Sequence, residues 1–306
     1  MNVSAASEGP AGQTQGTTTH DQQRPPLWRR LCPPWLARSV KMRAYFALGL
    51  GDPDYDAFVI GYPKVGNTWF QVMLRKLLVS HSGLDDSFIP KIFAPRRHLP
   101  ANTVAVEITH AMPGLDTESW QEMTIAFPRF RRKKVMLLIR EPKDTMVSYY
   151  MQNRFRENPP LFEGTIEEMI HDEVLGLDKY LAFYRAWAES GREIADVHLI
   201  RYEAMHADAH EVLRRTASFL GLEGVAESSI REAVEFGSFD NMRKLEDRDA
   251  LGMYALSRPH SPDNRARKVR RGRIGGYSEE LTDELAEYID RRVRADLPEF
   301  YGYPLQ

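Results

Sequence analysis

The sequence predicts an α/β fold in which helices cover both faces of a central parallel sheet. Three observations carry this. Short runs of apolar and β-branched residues recur at Phe58–Gly61, Val104–Ile108, Val135–Ile139 and Val197–Ile200, each the length of a strand buried on both faces. Segments with helical periodicity separate them, and strands alternating with helices build βαβ units. The first run ends in a glycine-bearing loop that leads directly into a helical pattern.

In chain order, residues 1–26 are rich in Ser, Thr, Gln and Gly and offer almost nothing to bury, so a disordered tail is expected. Residues 27–55 are a basic, Trp-rich segment. Arg29, Arg30, Arg38, Lys41 and Arg43 alternate with Leu27, Trp28, Leu31, Trp35, Leu36, Tyr45 and Phe46, and no acid appears between Arg24 and Leu50. Two readings stand: peripheral contact with an anionic membrane surface, or a segment packed across the domain with its cations solvated. Pro33–Pro34 prevents one continuous helix. Residues 56–306 are the folded domain. Helical patterns lie at Thr68–Val79, from Thr145–Tyr150 onward, at Ile166–Glu189 and at His210–Gly221. Thr165 before Glu167 and Glu168 is a cap followed by an acidic first turn. Glu246–Arg273 reads as a long irregular loop, a feature that compact domains keep for function or leave disordered. Glu279–Arg294 is the closing helix.

Composition narrows the class. With 41 Lys and Arg against 43 acids, the formal charge is −2, which argues against a dedicated polyanion binder. The single cysteine, Cys32, has no partner within the chain and suits a reducing compartment. No apolar run approaches the ~20 residues that span a bilayer, and the start MNVSAASEGP lacks the pattern of a secretory signal. A cytoplasmic protein is expected, with membrane contact confined to residues 24–50.

The loop Gly61-Tyr62-Pro63-Lys64-Val65-Gly66-Asn67-Thr68 is the most informative segment. It has the two glycines and the Thr of a nucleotide phosphate loop, in which backbone N–H groups cradle phosphates at a helix N-terminus. The fold is therefore P-loop-like and three-layered. Asn67, however, stands where such loops carry lysine, so the usual counter-charge to a triphosphate is missing. Lys64 lies inside the loop instead.

Tyr62-Pro63-Lys64-x-Gly66-x-Thr68-Trp69 resembles the YPKSGTTW loop of the cytosolic-type sulfotransferases, which use 3′-phosphoadenosine 5′-phosphosulfate (PAPS). Further segments are similar to that family in the same order. Arg140-Glu141-Pro142-Lys143-Asp144 through Ser148-Tyr149-Tyr150 resembles RNPKDVAVSYY. Tyr202-Glu203 resembles the YE adenine contact, Ser238-Phe239-x-x-Met242 the SFxxM segment, and Arg270-Arg271-Gly272 with Gly275-Gly276-Tyr277 the RKGxxGDW segment. The likeness runs from about Asp56 to the C-terminus.

The resemblance implies a set of roles. Lys64, Gly66, Asn67 and Thr68 would hold the 5′-phosphosulfate. Arg140, Ser148, Arg270, Arg271 and Gly272 would hold the 3′-phosphate, and Ser238 of the SFxxM-like segment would also contact the cofactor. Trp69, Tyr202 and Phe239 would surround adenine. Each is chemically apt: Arg forks bind phosphate oxygens bidentately, glycine lets backbone approach an anion, and aromatic faces stack on purines. His110 in Glu107-Ile108-Thr109-His110-x-x-Pro113 resembles the histidine of KxHLP, the general base, and it follows a strand at the sheet end where open α/β folds place their sites. The basic run Arg129–Lys134 is assigned no catalytic role. Four departures stand out: Asn67 for Thr, Ile108 for the lysine preceding the histidine, Gly237 for a Thr near adenine, and Tyr277 for the terminal Trp.

The implied reaction is sulfuryl transfer from PAPS to a hydroxyl or amine of a small-molecule, lipid or carbohydrate acceptor, with no metal and no nucleic-acid partner. Two other readings remain open on the residues alone: a P-loop nucleotide or small-molecule kinase, and a non-catalytic PAP-binding module. The acceptor is expected against Phe88–Leu99, the helix around Tyr149–Phe155 and the Glu246–Asn264 loop; neither its identity nor the oligomeric state follows from the sequence.

Overall fold

A computed structural model describes residue 48 and residues 51–112, 114–190, 196–253 and 256–304. The expectations for the tail 1–26, for nearly all of the segment 27–55 and for Pro113 lie outside these. The described residues form a single sheet of four strands, β1 (Ala57–Gly61), β2 (Val106–Thr109), β3 (Lys134–Ile139) and β4 (Asp196–Arg201). All pairings are parallel, in the order β2-β1-β3-β4. The central strands β1 and β3 are buried along almost their whole length, which is why they read as unbroken apolar runs. Strand β4 lies at an edge and leaves Val197 exposed.

The first helix, α1 (Asn67–His81), starts directly after the glycine-bearing loop. Next comes α2 (Pro142–Met151), with Pro142 in its first turn, where a missing N–H costs nothing, and the Glu141 carboxylate accepting from the Lys143 amide. It runs on into one π-helical turn, Gln152–Arg156, a local widening common at functional sites. The pattern expected as one helix over Ile166–Glu189 is two, α3 (Ile166–Ile170) and α4 (Leu177–Ser190). Asp172 breaks it, its carboxylate taking the amides of Val174 and Leu175. The Thr165 cap forms, in a reciprocal box with Glu168.

Helix α5 (Tyr202–Leu220) begins eight residues before the His210 expected from periodicity. The chain kinks at Asp208, whose carboxylate then accepts from Glu211 N. The periodic pattern belongs to the second segment; the first carries Tyr202 and His206. Two further helices, α6 (Glu227–Phe236) and α7 (Phe239–Arg248), went unforeseen. The irregular stretch therefore starts after α7 rather than at Glu246. The last helix, α8 (Asp283–Asp296), is capped by Thr282 and preceded by a 3-10 turn at Gly276–Glu279, so it starts later than expected.

Buried tyrosines tie the layers together. Tyr184 of α4 donates to the Leu138 carbonyl at 2.6 Å and accepts from the Tyr62 amide, while Tyr180 donates to the Arg140 carbonyl at 2.8 Å. These bonds satisfy backbone groups just where β1 and β3 end and their ladders stop. The ends of the strands are thus fixed before any functional side chain is considered.

Candidate active site

A cavity of about 530 Å³ opens at the C-terminal ends of β1, β2 and β3. Among its lining residues are Lys64, Gly66, Asn67, Thr68, Trp69, His110, Arg140, Ser148, Tyr202, Phe239, Arg270, Arg271 and Gly272. Of the residues given a catalytic or cofactor-binding role from the sequence, only Ser238 does not line it. Ser238 is the exposed N-cap residue of α7.

The loop between β1 and α1 is held in an unusual path. Lys64 adopts φ 71° and Gly66 φ 100°, the left-handed region that disfavours side chains. A Cβ at Gly66 would lie 2.7 Å from the Tyr202 ring, so glycine is required twice over. The Asn67 side chain points back into the loop, donating to the carbonyls of Gly61 (3.3 Å) and Tyr62 (3.1 Å). Its side-chain donors thus brace the turn.

His110 sits one residue beyond β2, with Nδ1 2.7 Å from the Gly61 carbonyl oxygen. Burial lowers the imidazole pKa below its ordinary 6.5; the Gly61 bond opposes this, Lys268 adds to it, and Asp116 opposes it. At neutral pH the ring is therefore a neutral imidazole.

At the other end, the Arg140 guanidinium lies over the Tyr202 ring at 4.2 Å and donates to the carbonyls of Lys64 and Arg273. Its Nε is buried without a partner. Asp144 takes the amides of Gly275 (2.9 Å) and Tyr277 (3.0 Å), strapping the 270–277 loop to α2. Within that loop Arg270 pairs with Glu280, and Arg271 with both Glu279 and Glu280. Gly272, at φ 59°, lies so close to Phe239 that a Cβ would meet its ring at 2.7 Å. Glu203 accepts from Glu141 N and from the Tyr303 hydroxyl, so it positions the turn that presents Arg140.

Trp69 donates its indole N–H to the Gly237 carbonyl at 2.8 Å. Its ring makes a cluster with Tyr202 and His206. His206 lines the cavity too but was missed in the sequence, because it falls in the part of α5 that precedes the kink.

Sequence reading also missed Gln152 and Lys268. The Gln152 amide oxygen receives Lys64 Nζ at 3.2 Å and Lys268 Nζ at 2.9 Å. Burial, with the charges of Lys268, Arg156 and Arg140, pushes the Lys64 ammonium well down; burial and Arg156 bring Lys268 to about 8. A hidden ion pair supports this end: Glu246, fully buried, binds Arg156 at 3.0 Å and accepts from Lys268 N at 2.6 Å. The only signal in the sequence was the density of cations over residues 265–273.

Beyond His110 the cavity continues past Ile108, Leu115, Asp116, Tyr149, Asn153 and Leu161. The expected helix around Tyr149 takes part. Neither Phe88–Leu99 nor the described part of Glu246–Asn264 does; Ile108, Thr109, His110, Leu115 and Asp116, at and beyond the end of β2, line the cavity. Arg129, in the run assigned no catalytic role, pairs with Asp52 (2.9 Å) and Glu107 (2.6 Å), a structural clamp. No described helix is long and apolar enough to cross a membrane.

Comparison with known proteins bears on the family and the fold. Cytosolic sulfotransferase 13 of Arabidopsis thaliana is 27% identical over 266 residues, covering 80% of this chain and 77% of that protein. The flavonol 3-sulfotransferase of Flaveria bidentis is 24% identical, covering 78% and 80%. Among solved structures, retinol dehydratase in complex with retinol and PAP superposes with a TM-score of 0.59 at 17% identity, covering 87% of each chain. Mouse sulfotransferase SULT7A1 with PAP gives 0.56 at 21%, covering 82% and 87%. The model of the sulfotransferase domain matches residues 54–301, and the chain belongs to that family.

Proposed function

We propose that this protein transfers a sulfuryl group from PAPS to a hydroxyl or amine of an acceptor molecule. One observation carries the reading: a single cavity joins the Lys64 loop, the His110 imidazole and the Arg140–Ser148–Arg271 end. Several cations around one cavity, with a buried Arg140 Nε left over, suit a ligand bearing anionic groups at both ends of a ribose. The PAP named with the solved relatives supports the same assignment.

In the proposed reaction the acceptor oxygen or nitrogen forms a bond to sulfur while the bond from sulfur to the 5′-phosphate oxygen breaks. The acceptor proton passes to Nε2 of His110. Lys64 and the α1 amides stabilise the charge that grows on the departing phosphate, and Arg140, Ser148, Arg270 and Arg271 hold the 3′-phosphate. Positioning and fixed charge supply most of the rate. Trp69, Tyr202 and Phe239 would frame the adenine. We infer a cytosolic setting, in keeping with the relatives named as cytosolic enzymes.

Labelled PAPS incubated with phenols, amines, sugars and lipid alcohols tests the reaction. Transfer to at least one class, together with thermal stabilisation by PAP, is expected. Stabilisation by ATP–Mg²⁺ but not by PAP would instead indicate a kinase, and PAP binding with no transfer to any class would indicate a binding module.

A further inference from the structure

We propose that Lys268 is a second cation of the reaction centre, acting together with Lys64 on the sulfuryl group as it is transferred; this rests on the function proposed above. The sharing of one Gln152 oxygen holds the two Nζ atoms within about 6 Å of each other. Both lysines line the same cavity as His110, and Lys268 is close enough to shift the His110 equilibrium.

The placement is built rather than incidental. Glu246 fixes the backbone on either side of the Lys268 side chain, accepting from Lys268 N at 2.6 Å and Val269 N at 3.4 Å. Arg156, at the end of the π-helical turn that carries Gln152, binds Glu246 and the carbonyls of Ser257 and Ala266. Two segments over a hundred residues apart are thereby locked together, and their meeting point is the pair of ammonium groups. The bond that the Lys268 ammonium makes is to a neutral amide, not a carboxylate. Bringing two ammonium groups and the Arg156 guanidinium together away from water is unfavourable, and the carboxylates of Glu157 and Glu246 offset this only in part. An arriving anion reverses the sign of that interaction, which is the arrangement expected of a site for a transferring anionic group.

In the transfer step the sulfur–oxygen bond to the leaving phosphate breaks as the bond to the acceptor forms, and the proton goes to His110. The sulfuryl oxygens stay negative throughout. Lys64 serves the leaving oxygen, and Lys268 the sulfuryl oxygens, a group that PAPS has and PAP lacks.

That difference supplies the test. Lys268→Met and Lys268→Arg are compared with wild type for kcat, for PAP affinity by calorimetry, and for fold by circular dichroism. Lys268→Met is expected to lower kcat about 100-fold while PAP affinity changes less than about 3-fold, and Lys268→Arg to recover part of the rate. A Lys268→Met enzyme within 2-fold of wild type, or one whose PAP affinity falls as far as its kcat, overturns the role of Lys268 alone. Wild-type protein that binds PAP but transfers nothing overturns the function beneath it.

Discussion

Nδ1 of His110 and the carbonyl oxygen of Gly61, the last residue of β1, are 2.7 Å apart. A carbonyl oxygen only accepts, so the hydrogen must reside on Nδ1 and the lone pair on Nε2. The strand that starts the phosphate loop thus also sets the tautomer of the proposed base. Because burial lowers the pKa, kcat/KM should rise with pH and level off below pH 6.5. His110→Ala should lose about 10²–10⁴-fold in rate and lose that acid limb as well. An acid limb that persists in the variant belongs to another group.

The lysine pair predicts proton uptake. In the free protein Lys268 loses its proton near pH 8, and Lys64 well below its usual range. The 5′-phosphate of bound PAP raises Lys64, whereas Lys268, set against the sulfuryl oxygens that PAP lacks, changes little, so PAP binding at pH 8.5 should consume protons through Lys64. Calorimetry in two buffers of different ionisation enthalpy measures this, and proton release would contradict it. The same shift opposes folding: a folded-state pKa below the unfolded 10.5 costs stability fully below about pH 8 and progressively less up to pH 10.5. Lys268→Met should therefore raise Tm at pH 7 by roughly 2–6 °C, with the gain shrinking toward pH 10.

The central strands β1 and β3 were readable because their burial on both faces is written as continuous apolar runs. Helix α7 was not, because its buried side chains are Met242 and Glu246, and a helix that buries a carboxylate has no apolar stripe to find. The site divides in the same way. Lys64, His110 and Arg140 sit in compact motifs next to strand ends, where local order implies spatial order, and Arg271 sits in a compact glycine-bearing motif of its own. Lys268 meets Gln152 across 116 positions, and Arg156 meets Glu246 across 90; no local pattern encodes either pairing. Ser238 shows the converse, a motif position whose side chain the α7 cap leaves outside the cavity.

The acids paired with Arg270 and Arg271 would compete with the phosphate proposed to bind there. Glu280 lies 3.2 Å from Arg270 and 3.1 Å from Arg271, so any anion must compete with it. Glu280→Gln should tighten PAP binding about 2–5-fold, the worth of a partly exposed ion pair, with the gain vanishing at high salt. Arg271→Ala should weaken binding at least about tenfold. Tighter binding that persists in 1 M salt would point to some cause other than charge competition.

Gly237 stands where the resembling family has threonine, and the packing around it gives the reason. Its carbonyl accepts the Trp69 indole N–H, and an added Cβ would run into Cγ of Met73, a fully buried residue of α1. The backbone at Gly237, with φ −83°, is open to any residue, so space alone forbids a side chain. Gly237→Thr should cost ~1–3 kcal/mol by overpacking and, by displacing Trp69, weaken PAP binding. Met73→Ala alone removes volume and also destabilises, by ~2–5 kcal/mol. If the two residues compete for one space, the double variant should be more stable than the sum of the single losses by at least about 1 kcal/mol. Thermal unfolding of all four proteins measures that coupling, and Trp69 fluorescence reports whether the ring returns. Simple additivity would mean that the threonine is accommodated by moving the α6–α7 junction instead of by entering the space that Met73 fills.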